Sequence, residues 1–359
     1  MIRCVDTVKY NTLTFDTPWE PQKDVSIPLT TILKASYQRI FYRTPILNLL
    51  IGEKPPSAVV KKCLEMAKET DLTQAENIWA VKAALTSRTK KALATMHDVY
   101  SDRMRELLVY FGAKDSRMNS IVRRVIQLEK ELIPQLDASV FVSQQDLDRY
   151  RELDVDLPNP RIVPNGVDTH VFRPLPRQTD CLRKYGIPEK PVILFAGSDM
   201  YQNRQAVDNA IKVFKKLGDN RYQLVVTGSV SGYAKQQARK HAVSIIALGY
   251  VEDMNEIYSI VDLVFIPLST GTGTKLKVLE AMACGKPVIT TTRGIRGLDV
   301  EKACIIADEE HEQIAQIREL LANPEKATEL GREARKTALG FDWKSLMANY
   351  LDVYFRILG

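Results

Sequence analysis

From about residue 164 onward, short apolar runs alternate with segments whose apolar residues recur every three or four positions. The runs are Val192–Ala196, Gln223–Thr227, Ser244–Leu248, Leu263–Pro267, Pro287–Thr291 and Ala303–Ala307. Continuous apolar runs of this length suit strands buried on both faces of a parallel sheet. Between them the spacing predicts helices. In Ala206–Leu217 the residues Ala206, Ala210, Val213, Phe214 and Leu217 share one face, and similar faces occur in Ala234–His241, Met254–Val261, Leu276–Cys284 and Glu310–Leu321. Right-handed crossovers then make a doubly wound α/β sheet, whose ligands sit outside the C-terminal strand ends. The turns at those ends are Ala196-Gly197-Ser198, Thr227-Gly228-Ser229, Leu248-Gly249-Tyr250 and Ser269–Gly273.

The first half has the same grammar, less sharply written. Leu72–Ala75, Ala92–Met96 and Ala138–Ser143 read as strands, and Pro56–Lys68, Ile78–Leu85, Arg103–Tyr110 and Met118–Leu132 as helices. Residues 1–55 fit it poorly, with one helix expected at Ile32–Tyr42. The segment Leu153–Pro164 reads as a linker, because Pro158 and Pro160 disfavour helix in the residues before them. A length of 359 residues accommodates two cores. The expected domains are 1–163 and 164–340, with a C-terminal helix over 341–359.

Composition narrows the class. The longest apolar runs fall short of a membrane span, and the first residues lack the apolar core of a signal peptide. The five cysteines have no paired spacing, which predicts reduced thiols and a cytoplasmic protein, without a metal site. The net charge of +6 is concentrated: residues 82–124 hold ten basic side chains against four acidic ones. Such a patch suits anionic lipid headgroups or nucleic acid, or is simply a solvated helix face.

Glycine locates the chemistry. Of 17 glycines, only Gly52 and Gly112 precede residue 160. Turns that cradle phosphates need the φ > 0 conformations and close backbone approach that glycine allows. The richest stretch runs from Ser269 through Gly271, Thr272, Gly273, Thr274 and Lys275 to Glu280 and Gly285. There a strand ends, a glycine-rich loop follows and a helix starts near Lys275. Amides at such a helix N-terminus receive a diphosphate, and Lys275 is placed to add a full charge. Glu280 lies one and a half turns into the helix, where a carboxylate accepts hydrogen bonds from sugar hydroxyls. The spacing of a P-loop is absent, as is a dinucleotide fingerprint after the first strand of either half. Asp146-Leu147-Asp148 and Asp154-Val155-Asp156 have the D-x-D form of some metal-dependent transferases, but helix and linker account for them.

Two segments carry a resemblance. Asn165-Gly166-Val167-Asp168, followed by Phe172 and Pro174, resembles the interdomain segment of glycosyltransferase family 4, the retaining group 1 enzymes of the GT-B fold. The helix Leu279-Glu280-Ala281-Met282-Ala283 with Gly285, Pro287 and Val288 resembles that family's donor-binding signature. The family pairs Glu280 with a second glutamate eight positions earlier, where this chain has Thr272. The loop Gly271–Lys277 therefore resembles a subfamily variant in which backbone amides of Gly271–Thr274 substitute for that carboxylate.

The resemblance implies further site residues. Gly197 and Ser198 would approach the phosphates with Arg204 nearby, Gly249 would read the base edge, and Val251 would pack on the ring. His97, at the end of a first-half strand, would face the donor sugar; Asp98 would cap the next helix, and Gln74–Asn77 would line the acceptor side. Catalytic expectations thus fall on His97, Lys275 and Glu280. The implied fold is GT-B, two Rossmann-like domains with the first one βα unit short: a truncated start, or a wall built differently. The implied function is metal-independent, retaining transfer from a nucleoside-diphosphate sugar to a glycan or lipid-linked acceptor. It needs no cofactor and no nucleic acid. The missing unit and Thr272 keep a weakly catalytic nucleotide-sugar-binding subunit as an alternative, with a GT-B-fold epimerase or phosphorylase as another.

Overall fold

The computed structural model describes residues 57–359 except residues 88 and 219. The helix expected at Ile32–Tyr42, and the start expected to be one unit short, lie outside the described residues. The chain divides into two compact units. Among the described residues one takes 57–105, 113–163 and 349–359, and the other 106–112 and 164–348.

In the first unit, α1 (Ser57–Met66), β1 (Leu72–Glu76), α2 (Ile78–Thr86), β2 (Lys91–Met96), α3 (Tyr100–Tyr110), α4 (Asp115–Leu132), β3 (Ala138–Phe141), α5 (Gln144–Glu152) and β4 (Arg161–Ile162) follow one another. The strands form a parallel sheet in the order β1-β2-β3-β4. Leu93, Ala94, Met96, Ala138, Val140 and Phe141 are fully buried, as apolar strands covered on both faces must be. Residues 349–359 close this unit: Tyr350 and Tyr354 bring their hydroxyls to Thr95 and Gln74. Arg161–Ile162 corrects the expected linker. These residues form an edge strand against Val140 and Phe141, a position that tolerates the neighbouring prolines. Helix α5 was expected only at Asp146–Asp148, without bounds. Its apolar pattern is faint, and it starts on Ser143, whose Oγ accepts from Asp146 N at 3.1 Å. Asp146 and Asp148 thus belong to a helix.

The second unit contains α6 (Thr179–Lys184), β5 (Val192–Ala196), α7 (Tyr201–Leu217), β6 (Gln223–Thr227), α8 (Ser231–His241), β7 (Ile245–Gly249), α9 (Met254–Ile260), β8 (Leu263–Ile266), α10 (Leu276–Ala283), β9 (Val288–Thr290), β10 (Ile305–Ile306), α11 (Glu310–Ala322), α12 (Pro324–Leu339) and the start of α13 (Trp343–Leu358). All six strands are parallel, in the order β10-β9-β8-β5-β6-β7. The chain leaves β5 toward β6 and β7, then returns to its other side at β8. That reversal places a topological switch point, the ligand crevice of open α/β sheets, between the C-terminal ends of β5 and β8. Helix α7 begins five residues before its apolar periodicity, and α12 starts with Pro324 after Asn323, whose Oδ1 accepts from Lys326 N at 3.1 Å.

Candidate functional site

The segment ahead of the second sheet is fixed by its own chemistry. Gly166 lies so close to the chain's return that an added Cβ would stand 2.6 Å from the Phe341 carbonyl. Val167 N donates to that carbonyl at 2.9 Å, and Trp343 N donates back to Val167 O at 3.1 Å. Asp168 Oδ1 accepts from the amides of His170 and Val171, both at 3.0 Å. Arg335 donates to the carbonyls of Thr169, Phe172 and Ala283, so α12 ties this segment to the end of α10. Asn165 then reaches the glycine-rich loop, its Nδ2 donating to Thr274 Oγ1 at 2.6 Å.

The loop between β8 and α10 needs its glycines. Gly271 and Gly273 have φ of 110° and 69°, conformations that favour glycine. Lys275 caps α10, yet its side chain turns inward and is 8% exposed. Its Nζ donates to the carbonyls of Gly271 at 3.2 Å, Thr272 at 2.7 Å and Gly273 at 2.6 Å. An ammonium has three hydrogens, and all three are engaged by the loop. Lys275, expected to meet the diphosphate, here stitches the loop through its carbonyls. The amide of Gly271 donates to a carboxylate, Glu106 Oε2, at 2.6 Å; Glu106 also accepts from the Tyr201 hydroxyl at 3.0 Å, and residues 106–112 group with this unit. Glu280, on the second turn of α10, has no hydrogen-bond or ion-pair partner among the described residues. Burial pushes its carboxyl up, against the opposing charge of Lys277.

Across the switch point, Gly197 ends β5. Its N donates to Thr227 O at 3.0 Å and its O accepts from Val230 N at 3.2 Å. A Cβ on Gly197 would stand 2.9 Å from the Asn203 side chain and 3.2 Å from Lys277 Nζ. Gly228 packs against Gly197 in turn, where a Cβ would meet the Gly197 carbonyl at 2.2 Å. Ser198 is exposed beside this turn; its carbonyl and Oγ accept from Asn203 Nδ2 at 2.9 and 3.3 Å. Arg204 is the residue expected near the phosphates. Its guanidinium forms a bidentate pair with Asp199 at 2.6 and 2.7 Å and lies 5.1 Å from the Tyr233 ring centroid.

At the end of β7, Gly249 has φ of 74° and its O accepts from Gly228 N at 2.7 Å. Val251 is buried within the core of the unit, and Tyr250 before it is 87% exposed. In the first unit, His97 follows β2, 36% exposed, with Nε2 2.6 Å from Glu76 Oε2. Asp98 lies 3.7 Å from Arg103 Nη1, while the amide of Ser101 at the start of α3 donates to Glu129 Oε1 at 3.2 Å. Among the described residues no group of three His, Cys, Asp or Glu side chains is placed to hold a metal ion, and no helix is long and apolar enough to cross a membrane.

Lys277 was missed by sequence reasoning. Two positions beyond Lys275, it projects toward Gly197 rather than into its own loop. The signal was available: Lys275 and Lys277 flank Leu276, so two successive basic side chains leave the helix start in different directions.

Residues 190–323 match the family model described as Glycosyl transferases group 1. That stretch of the second unit is similar to group 1 glycosyl transferases. Among curated relatives of this chain, a Bacillus subtilis protein named as a glycosyltransferase, EpsD, is 29% identical over 241 residues, 63% of this chain and 62% of that protein. A D-inositol 3-phosphate glycosyltransferase of Xylanimonas cellulosilytica is 27% identical over 63% of this chain and 58% of its own length. The chain thus matches about three fifths of these relatives' length. Among solved structures, Anabaena Alr3699/HepE in complex with UDP and glucose has a TM-score of 0.65 at 16% identity, over 82% of this chain and 80% of that one. Sucrose-phosphate synthase from Thermosynechococcus elongatus has a TM-score of 0.66 at 18% identity, over 83% and 78%. At these identities the likeness is one of fold, and the fold is GT-B.

Proposed function

We propose that the protein transfers a sugar from a nucleoside-diphosphate sugar to a glycan or lipid-linked acceptor, with retention at the anomeric carbon and without a metal. The observation that carries this reading is the meeting of two glycine turns at one switch point. Gly197 stands at the end of β5 and the Gly271–Thr274 loop beyond β8, next to the start of a helix. Departure of a diphosphate is helped by fixed donors where its charge develops. Backbone amides at Ser198 and Gly271–Thr274 are those donors in this reading. Gly271 N, which already holds a carboxylate, is a donor suited to an anion. Glu280, whose carboxyl has no partner among the described residues, accepts from sugar hydroxyls. Gly249 flanks the base. The group 1 likeness of the second unit and the UDP and UDP-glucose named for HepE support trying uridine donors first.

The test is a thermal-shift screen of the purified chain over uridine, guanosine and adenosine diphosphate sugars, followed by proton NMR of the product anomer. Retention gives the donor's anomeric configuration in the product; the inverted configuration would sink that part of the proposal.

The basic segment adds a location, the cytoplasmic face of an anionic membrane. Lys114, Arg117, Arg123 and Arg124 are exposed on and beside α4. Flotation with vesicles containing anionic lipid should carry the protein upward at low salt and release it at high salt. Equal flotation with neutral vesicles would remove this part.

A further inference from the structure

Lys277 is the best-placed cation of the second unit that no protein anion matches. Its Nζ has one hydrogen-bond acceptor, Asn203 Oδ1 at 2.6 Å, and lies 4.5 Å from the centroid of the Phe195 ring. No carboxylate comes within ion-pair distance of it among the described residues. Phe195 is the penultimate residue of β5, and Asn203 lies in the first turn of α7, where Nδ2 is already committed to Ser198. The amide of Asn203 is therefore oriented, and its oxygen is left to hold the ammonium. The same ammonium stands 3.2 Å from where a Gly197 side chain would begin. An ammonium with three hydrogens and one oxygen acceptor, against the turn at a switch point, leaves donors for a ligand. The two cations nearest in role are both occupied: Lys275 by three carbonyls and Arg204 by Asp199.

We propose that Lys277 is the catalytic cation of this site, meeting the leaving diphosphate beside Gly197, with Asn203 as its positioning residue. The proposal rests on the donor-site reading above and assigns its positive charge to a different residue. Burial and the neighbouring charge of Lys275 push the Lys277 ammonium down to about 7, with Glu280 acting in the opposite direction. A cation held at such a cost to the free protein gains most from a bound anion.

The experiment compares the full chain with its Lys277→Met variant by calorimetric titration with UDP, GDP and ADP and with the three nucleosides. Wild type should bind one diphosphate at least tenfold more tightly than its nucleoside. In Lys277→Met that preference should fall at least fivefold while nucleoside affinity changes less than threefold, and the unliganded melting midpoint should hold or rise. Equal diphosphate affinity in the two proteins would overturn the assignment and leave the donor site standing. Failure of wild type to bind any of the diphosphates would remove both. A second measurement on wild type covers a variant that does not fold. Acylation of lysines, read by mass spectrometry, should fall at least fivefold at Lys277 when the diphosphate is saturating, and not with the nucleoside. Unchanged labelling of Lys277 would also overturn the proposal.

Discussion

Lys275 and Lys277 leave the same helix start and do opposite things. The first is a buried stitch whose three hydrogens close the glycine-rich loop on itself; the second is a cation with unused donors. From the sequence alone, the lysine nearest the loop looked like the phosphate ligand, because proximity in the chain was the only geometry available. Removing Lys275 leaves three loop carbonyls without their donor, so Lys275→Met should destabilise the protein by about 2–3 kcal/mol. It should also loosen the donor site, lowering affinity for diphosphate and nucleoside together. Denaturant unfolding and the same titrations check both effects. A Lys275→Met protein of wild-type stability with a selective loss of diphosphate binding would show that the ammonium does meet phosphate. Arg204 and Val251 carry the same lesson at smaller cost. Residue type marked the turn, but whether a side chain faces the ligand, a neighbouring carboxylate or the core is decided by partners remote in sequence.

At the scale of elements, helices and strands of the second unit were largely legible, because buried parallel strands write themselves as continuous apolar runs. The misses have physical reasons. Helix α5, expected without bounds, is nearly all polar outside Leu147 and Tyr150, and β4 is a two-residue edge strand among prolines. The first turn of α7 is held by the Asp199–Arg204 pair and the Asn203–Ser198 bonds, which leave no apolar period. The first unit has its own polar bracket. Glu129 on α4 is fully buried; its Oε1 accepts from Ser101 N at the start of α3 and from the Tyr150 hydroxyl of α5, at 3.2 and 3.1 Å, while Oε2 has no hydrogen-bond partner. Burial raises its carboxyl to about 7, against the opposing pull of those hydrogen bonds. The folded state therefore binds a proton that the unfolded chain has already lost between about pH 4.5 and 7, and this contribution to stability declines as pH rises through that window. Its full size is on the order of 3 kcal/mol. Glu129→Gln keeps the acceptor oxygen without the charge. The difference in unfolding free energy between variant and wild type should then grow in favour of the variant from pH 5 to 7.5. A difference that is flat with pH would mean that Glu129 titrates normally.

At the scale of the whole molecule, two Rossmann-like units fix the fold, and a group 1 glycosyl transferase match over residues 190–323 gives the class that stretch resembles. The class was legible because the segment from Asn165 and the helix through Glu280 are short, local and constrained. Gly166 admits no side chain beside Phe341, and Gly271 and Gly273 hold positive φ. The reaction is less legible, since acceptor and sugar are read by side chains that no local pattern specifies. The central claim is that the crevice between β5 and β8 binds a nucleoside-diphosphate sugar, and the thermal-shift screen tests it most directly. At a hundred times its dissociation constant, the correct donor should stabilise the protein by about 2.7 kcal/mol, and its nucleoside at the same concentration by much less. No shift from any nucleotide sugar or nucleoside diphosphate at millimolar concentration would contradict the account.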